Sequence, residues 1–241
     1  ERLPSATASA WQGIRPLVIA AAAGIVAVPW YALVTVRTDG AWLREFLLVH
    51  NLGRFAAPME GHSGSAILYY PLVLLVGLFP WSMASGLIGR HALVTVGQQG
   101  ETAAGMRLMA AWIAAWLIPF SLAGTKLPGY IWPAYPAVAC GIALFIADWI
   151  RSPSRSTDGW MRWAWGFLIV SGIGLAIGLA WATHCLAPGG EWLGLIGLLP
   201  LAGGLLASRF QTHSSRLAAS GCWAATACGT VALLMAVGPV G

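Results

Sequence analysis

Charge is what this chain has least of. Asp, Glu, Lys and Arg make up only 9% of its 241 residues, against about 25% in a soluble domain. That is too little polar surface to cover a water-soluble globule, so a soluble fold is excluded. A chain that is 58% hydrophobic with positive mean hydropathy fits a membrane-embedded helical protein. Alternating apolar and polar residues are also missing. The apolar runs are continuous, which excludes a porin-type barrel. The basic residues are scattered rather than clustered, so nucleic acid is excluded as a partner. None of the four cysteines, Cys140, Cys185, Cys222 and Cys228, forms a CxxC pair. Cys140, Cys222 and Cys228 sit in apolar runs and read as small buried hydrophobes, with metal or disulfide roles as the alternatives. The chain starts at Glu1 with no leader pattern, which predicts a start inside a longer protein.

What is present is a series of spans. Crossing the hydrocarbon core takes about 20 apolar residues. Seven stretches meet that need, near 14–36, 67–89, 107–124, 131–150, 162–183, 191–208 and 216–238. The expected fold is therefore an all-α polytopic bundle, one membrane domain over 1–241. Pro119 and Pro200 are expected to interrupt the third and sixth spans. With the N-terminus inside, nine of the thirteen basic residues fall on the cytoplasmic side, and Arg37, Arg44, Arg54 and Lys126 fall outside. That asymmetry fixes the orientation. Gly172, Gly174 and Gly178 are expected to let helices approach closely. Asp148 is expected to pair with Arg151, three residues on. His184 and Glu191 read as surface residues, and 151–160 as a plain polar connector.

Two outside segments carry the chemistry. The first is a thirty-residue loop, 37–66, too long and too apolar to be a simple connection. Within it, 41–56 reads as a helix on the membrane surface. At 100° per residue, Arg44, His50, Asn51 and Arg54 share an arc of about 120°, with Leu43 and Leu47 intruding. Arg54 offers a planar fork of donors that suits phosphate oxygens, or it snorkels to a headgroup. Glu60 and His62, in MEGHSG, make a solvated turn, a phosphate or sugar contact, or two ligands of a metal site that would need more. The second segment, 125–133, holds Lys126, the single lysine of the chain, and Tyr130 in TKLPGY. Lysine binds phosphate as a point charge and tyrosine donates one hydrogen bond. The alternative is a charged helix end followed by prolines of the next helix.

The strings VHNLGRF, GHSG, YYPLVLLVGLFPW and TKLPGYIWPAYPA resemble the dolichyl-phosphate-mannose–protein mannosyltransferase superfamily. Within it they are similar to the bacterial 4-amino-4-deoxy-L-arabinose (lipid A) transferase branch, over roughly residues 27–140. The resemblance implies the C-terminal part of a GT-C fold in the bacterial inner membrane, with an extracytoplasmic active face. It implies transfer of a sugar from a polyprenyl (undecaprenyl) phosphate carrier to a lipid A, glycan or protein acceptor. On this resemblance Arg54, Lys126 and Tyr130 contact the carrier phosphate, while Asn51, Glu60 and His62 line the same cavity. Asn51 stands where some relatives have histidine, so no metal site is carried over, and no cofactor is expected. The family's catalytic aspartate lies in the first extracytoplasmic loop. No acidic residue here has that context, so the base is expected upstream and no catalytic residue is assigned.

A transporter or flippase for an anionic lipid-linked substrate would use the same cations. It should also place charged residues near span centres, where this chain has almost none. The orientation is checked by labelling. A membrane-impermeant thiol reagent added outside should reach Glu60→Cys and should not reach Arg155→Cys; the reverse pattern overturns the N-in arrangement.

Overall fold

The computed structural model describes residues 15–58, 64–65, 67–152, 155–186, 188–212 and 216–237. They form two compact units, Glu1–Ser63 with Ala123–Thr125, and Gly64–Leu122 with Lys126–Gly241. No break in composition marks this division in the sequence. Among the described residues all regular structure is helical, as lipid requires of segments that must satisfy their own backbone.

In the first unit, α1 (Pro16–Arg37) starts with proline at its first position, where the missing N–H costs nothing. Leu17, Ile25, Val26 and Val36 are all exposed, so its surface is apolar around the circumference and suited to lipid. Asp39 and Gly40 turn the chain in left-handed conformation, φ 49° and 78°. Residues 41–56 are then helical throughout. A turn of α-helix (Ala41–Arg44) runs into a π-helix (Glu45–Gly53) and ends in a last α-helical turn (Arg54–Ala56). An aromatic cluster ties this segment to α1. Trp42 stacks on Phe46 at 5.0 Å, and Trp30 and Tyr31 meet Trp42 at 5.3 and 5.4 Å. The π winding corrects the expected polar arc. With i→i+5 bonds, residues five apart lie above one another, and Glu45 meets His50 at 4.0 Å.

The second unit comprises α2 (Tyr69–Gly77), a 3₁₀ turn (Trp81–Ala84), α3 (Ser85–Val96) and α4 (Glu101–Leu122). A 3₁₀ segment (Pro128–Ala134), α5 (Tyr135–Arg151), α6 (Arg155–Leu186), a 3₁₀ segment (Glu191–Gly197), α7 (Leu198–Thr212) and α8 (Arg216–Val237) follow. Among the described residues of the whole chain, five helices are long and apolar enough to cross a bilayer, or six if one bent pair counts as a span. Seven were expected. Part of the difference is the stretch 67–89, which is not straight: its two helices meet at 116°. The break falls at Gly77–Pro80, where proline removes a backbone donor. The rest is 216–238, which appears as α8 but is not among the five. Pro119 and Pro200 do not break their spans. Pro119 lies inside α4 near its end, and Pro200 falls in the first turn of α7, where proline is tolerated.

The core of this unit is aromatic. Trp165 and Trp223 are fully buried and meet edge to face at 5.1 Å, and Trp81 lies 4.4 Å from Trp223. At one end of that core sits Asp158, in the stretch expected to be a plain connector. Arg216 grips it with two hydrogen bonds, Nε to Oδ1 at 3.1 Å and Nη2 to Oδ2 at 2.6 Å. Trp149 Nε1 donates to Oδ1 at 2.9 Å. Gln211 Nε2 donates to the Asp158 carbonyl at 2.9 Å, and Gln211 Oε1 accepts from Trp165 Nε1 at 2.5 Å. One residue, through its carboxylate and its carbonyl, thus joins α5, α6, α7 and α8.

Other expected contacts are corrected. Asp148 faces His91 Nε2 at 3.6 Å rather than Arg151, because α3 packs beside α5. His184 and Glu191 are exposed but paired, Nδ1 to Oε1 at 3.0 Å. Of the three expected packing glycines only Gly172 serves. A Cβ there would lie 2.5 Å from the Leu201 nitrogen, while Gly174 and Gly178 face open space. Its counterpart is Gly197, where a Cβ would lie 2.4 Å from the Gly172 carbonyl oxygen. Cys140 and Cys228 are exposed rather than buried, and only Cys222 is partly buried. Their helices turn those faces outward, where lipid accepts a thiol as it does an alkyl group.

Removing one partner of the Asp158–Arg216 pair leaves a partly buried charge unmatched. Asp158→Ala should destabilise the protein by about 2 kcal/mol, read as a lowered unfolding temperature in detergent. Arg216→Ala should cost a similar amount, and the double variant little more than either alone. Additive losses would mean that the two side chains act independently.

Candidate functional site

The second unit builds a nest around Lys126. α4 ends at Leu122, and the carbonyls of its last turn have no partner in the helix. Lys126 Nζ takes two of them, Phe120 O at 3.0 Å and Ser121 O at 2.5 Å. A cation at a helix C-terminus also meets the favourable end of the helix dipole. Lys126 is only 3% exposed, and this burial holds its ammonium pKa below the ordinary lysine value. The Tyr69 hydroxyl reaches the Lys126 carbonyl at 3.5 Å. The last glycine of GHSG closes the nest. A Cβ on Gly64 would lie 2.8 Å from the Tyr69 ring and 3.3 Å from the Lys126 stem. Tyr130, in the 3₁₀ segment Pro128–Ala134, places its ring 4.9 Å from that of Phe120. Lys126 and Tyr130 thus share Phe120, one through its carbonyl and the other through its ring.

The first unit positions Arg54 through its main chain. Residues 123–125 pair with 54–57. Gly124 N donates to Phe55 O at 2.7 Å, Thr125 N to Arg54 O at 2.9 Å and Thr125 Oγ1 to Ala57 O at 3.1 Å. Thr125 is 1% exposed and immediately precedes Lys126 in the chain. A Cβ at Gly124 would come within 2.7 to 2.9 Å of three Ala57 backbone atoms, so this pairing requires glycine. The Arg54 peptide is therefore fixed to that of Thr125. Asn51 is exposed, and its amide donates to the Phe46 carbonyl at 2.5 Å, spanning one π turn. It belongs to the same helical segment as Arg54. Glu60 and His62 lie outside the described residues.

Most of the described acids face a basic side chain. Glu45, Asp148, Asp158 and Glu191 each face a histidine or arginine, and Glu101 sits in the first turn of α4. Among the described residues no three His, Cys, Asp or Glu side chains gather as a metal-ligand set. Sequence reasoning missed Thr125, Gly124, Tyr69 and Tyr70. The doublet YYP, ahead of a span and short of any other polar group, was the available signal.

An apolar cavity of about 510 Å³ opens beside the nest, between Tyr69, Val73, Pro128 and Trp132. It shares Gly77, Trp132 and Tyr135 with a larger apolar cavity of about 1220 Å³ that runs on to Ile142 and Val231. The Tyr135 hydroxyl donates to Val73 O at 3.3 Å across this junction.

The site thus combines a buried cation, irregular backbone at helix ends and adjoining apolar cavities. No family model matches the chain. The solved structure of ArnT from Cupriavidus metallidurans bound to undecaprenyl phosphate matches it with TM-score 0.60 at 21% identity, covering 88% of this chain and 38% of that one. That likeness shows the fold, an all-α membrane bundle consistent with the C-terminal portion of a GT-C fold. Sequence agrees. The undecaprenyl phosphate-alpha-4-amino-4-deoxy-L-arabinose arabinosyl transferase of Yersinia enterocolitica is 28% identical over 168 residues, 68% of this chain and 29% of the relative. That of Pectobacterium carotovorum is 29% identical over 169 residues, 67% and 29%. The chain is similar in sequence to these arabinosyl transferases, and it spans under a third of their length.

Gly124→Ala should break the pairing between 54–57 and 123–125. The Gly124 and Thr125 amides should lose protection from hydrogen exchange, while amides in the middle of α6 keep theirs. Unchanged protection of Thr125 would mean that the pairing does not hold the segment.

Proposed function

We propose that the complete protein transfers a sugar from a polyprenyl phosphate carrier to an extracytoplasmic acceptor in the bacterial inner membrane, and that this chain supplies the grip on the carrier phosphate. The observation that carries the reading is the Lys126 nest. A lone lysine, 3% exposed, is held at a helix end by the very motifs that resemble the transferases. An ammonium in such a place suits a ligand that brings its own negative charge and little water. Lys126, Tyr130 and Arg54 are the groups we assign to the phosphate, Lys126 as a point charge, Tyr130 as a single donor and Arg54 as a two-pronged donor.

The chemistry follows from charge development. As the carbon–oxygen bond to the carrier breaks, the phosphate leaves with a growing second negative charge and the anomeric carbon becomes positive. Cations placed beforehand stabilise that leaving group. The acceptor's proton must go to a base, and we assign it to an aspartate in the part of the relatives' length that this chain does not span. The apolar cavities beside Tyr69 and Trp132 suit an isoprenoid or acyl chain.

In the complete enzyme, Lys126→Ala and Arg54→Ala should each lower transfer by 100-fold or so, the loss of about 2.7 kcal/mol expected when one preplaced charge donor is removed. The protein should remain folded and inserted. Arg54→Lys should recover part of the activity. Because burial lowers the Lys126 pKa, the charged form, and with it transfer, should be lost as pH rises through a value below that of a free lysine. Full activity of either alanine variant defeats the assignment.

A further inference from the structure

The nest contains a group that this chemistry leaves unused. Tyr70 is fully buried at the start of α2, and Lys126 Nζ lies 5.7 Å from the centroid of its ring. That is within the 6 Å or so over which a cation is drawn to an aromatic face. Tyr69 meets the Tyr70 ring edge-on, at 5.0 Å and 86°, while its own hydroxyl reaches the Lys126 carbonyl. The tyrosine doublet therefore touches Lys126 at both ends, main chain and ammonium. With no exposed surface and a proline next in sequence, Tyr70 has little freedom to swing away.

A buried ammonium is under pressure to lose its proton. Two helix-end carbonyls supply hydrogen bonds to it, and the ring supplies a negative face without adding an acceptor or a formal charge. We propose that Tyr70 is a positioning residue for Lys126: its ring face holds the ammonium in the charged form and in place for an anionic phosphoester. The functional part of this inference rests on the reading that Lys126 meets the carrier phosphate. The coupling between ring and ammonium does not. Among the described residues, the titratable groups that these contacts bring near the ammonium include the phenols Tyr69 and Tyr70 from α2 and Tyr130 across Phe120.

Lys126 is the single lysine, so protein labelled with ¹³C at the lysine ε-carbon gives one lysine signal, whose titration can be followed in nanodiscs. Tyr70→Met should move the Lys126 midpoint to lower pH by about one pH unit, the amount expected from losing a desolvated cation–π contact. Tyr70→Phe, which keeps the ring, should leave it in place. Phenylalanines bearing one, two or three fluorines at position 70 keep the shape but drain the ring face, and should lower the midpoint in steps. That series decides the matter if the methionine variant does not fold. A midpoint that ignores fluorination overturns the proposal, and so does a Phe variant that shifts as far as Met, since the hydroxyl would then be responsible. In the complete enzyme, Tyr70→Met should begin to lose transfer at lower pH than wild type, and Tyr70→Phe should not. If Lys126→Ala kept full transfer, the functional reading would fall while the titration still judged the ring.

Discussion

A positive charge that must stay charged while nearly out of water constrains this molecule more than any other single group. Lys126 cannot meet that demand alone, because desolvation favours the neutral amine. Several neutral groups gather around it. α4 stops at Leu122 and leaves its last carbonyls facing the lysine. α2 begins with two aromatic rings beside it. Gly64 removes a side chain where the lysine stem passes. A helix ending one turn later would leave those carbonyls in hydrogen bonds of the helix itself, and the ammonium without acceptors there.

The opposite arrangement appears at Asp158. There a carboxylate meets a guanidinium directly, two hydrogen bonds to two oxygens, with an indole as a third donor and an amide on the same residue's carbonyl. Charge is cancelled and spent on holding four helices together. Lipid gives helices little hydrophobic reason to associate, so such polar joints and close backbone approaches carry more of the burden than in water. Gly172 against Leu201 and Gly197 is the second kind. The contrast separates two settings of ionisable residues in one membrane protein, an ion pair between helices and an ammonium on helix-end carbonyls.

The sequence disclosed those features that depend on one residue and its neighbours in the chain. Long apolar runs gave the spans, and the odd lysine among prolines marked the nest. Features that depend on two distant segments stayed hidden. The hydrogen bonds from Gly124 and Thr125 to residues 54–57 are made by main chain, and nothing in the side-chain pattern of GRFAA announces them. Asp158 looked like loop because RSPSRSTDGW is polar, but polarity there reflects partners on α7 and α8 that no local pattern reveals. The amphipathic arc of 41–56 was misjudged for another reason. It assumed 3.6 residues per turn, and the π winding of Glu45–Gly53 brings Glu45 over His50 and Phe46 over Asn51 instead.

The means by which Arg54 is held has a consequence for specificity. A side chain fixed by packing can be tuned by changing its neighbours, whereas here the main chain at 54–57 is clamped to 123–125 through backbone groups and one hydroxyl. Such a clamp is indifferent to the side chains it carries. Phe55 and Ala56, both exposed, can vary with little effect on where the Arg54 peptide lies. Gly124 cannot, because its missing Cβ is the space the clamp occupies. Irregular backbone at a membrane boundary is tolerated when other protein groups satisfy it, and this pairing does so for both segments at once. The main chain of 54–57 and 123–125 is thus fixed by its own hydrogen bonds and one hydroxyl, which leaves the surrounding side chains free to vary.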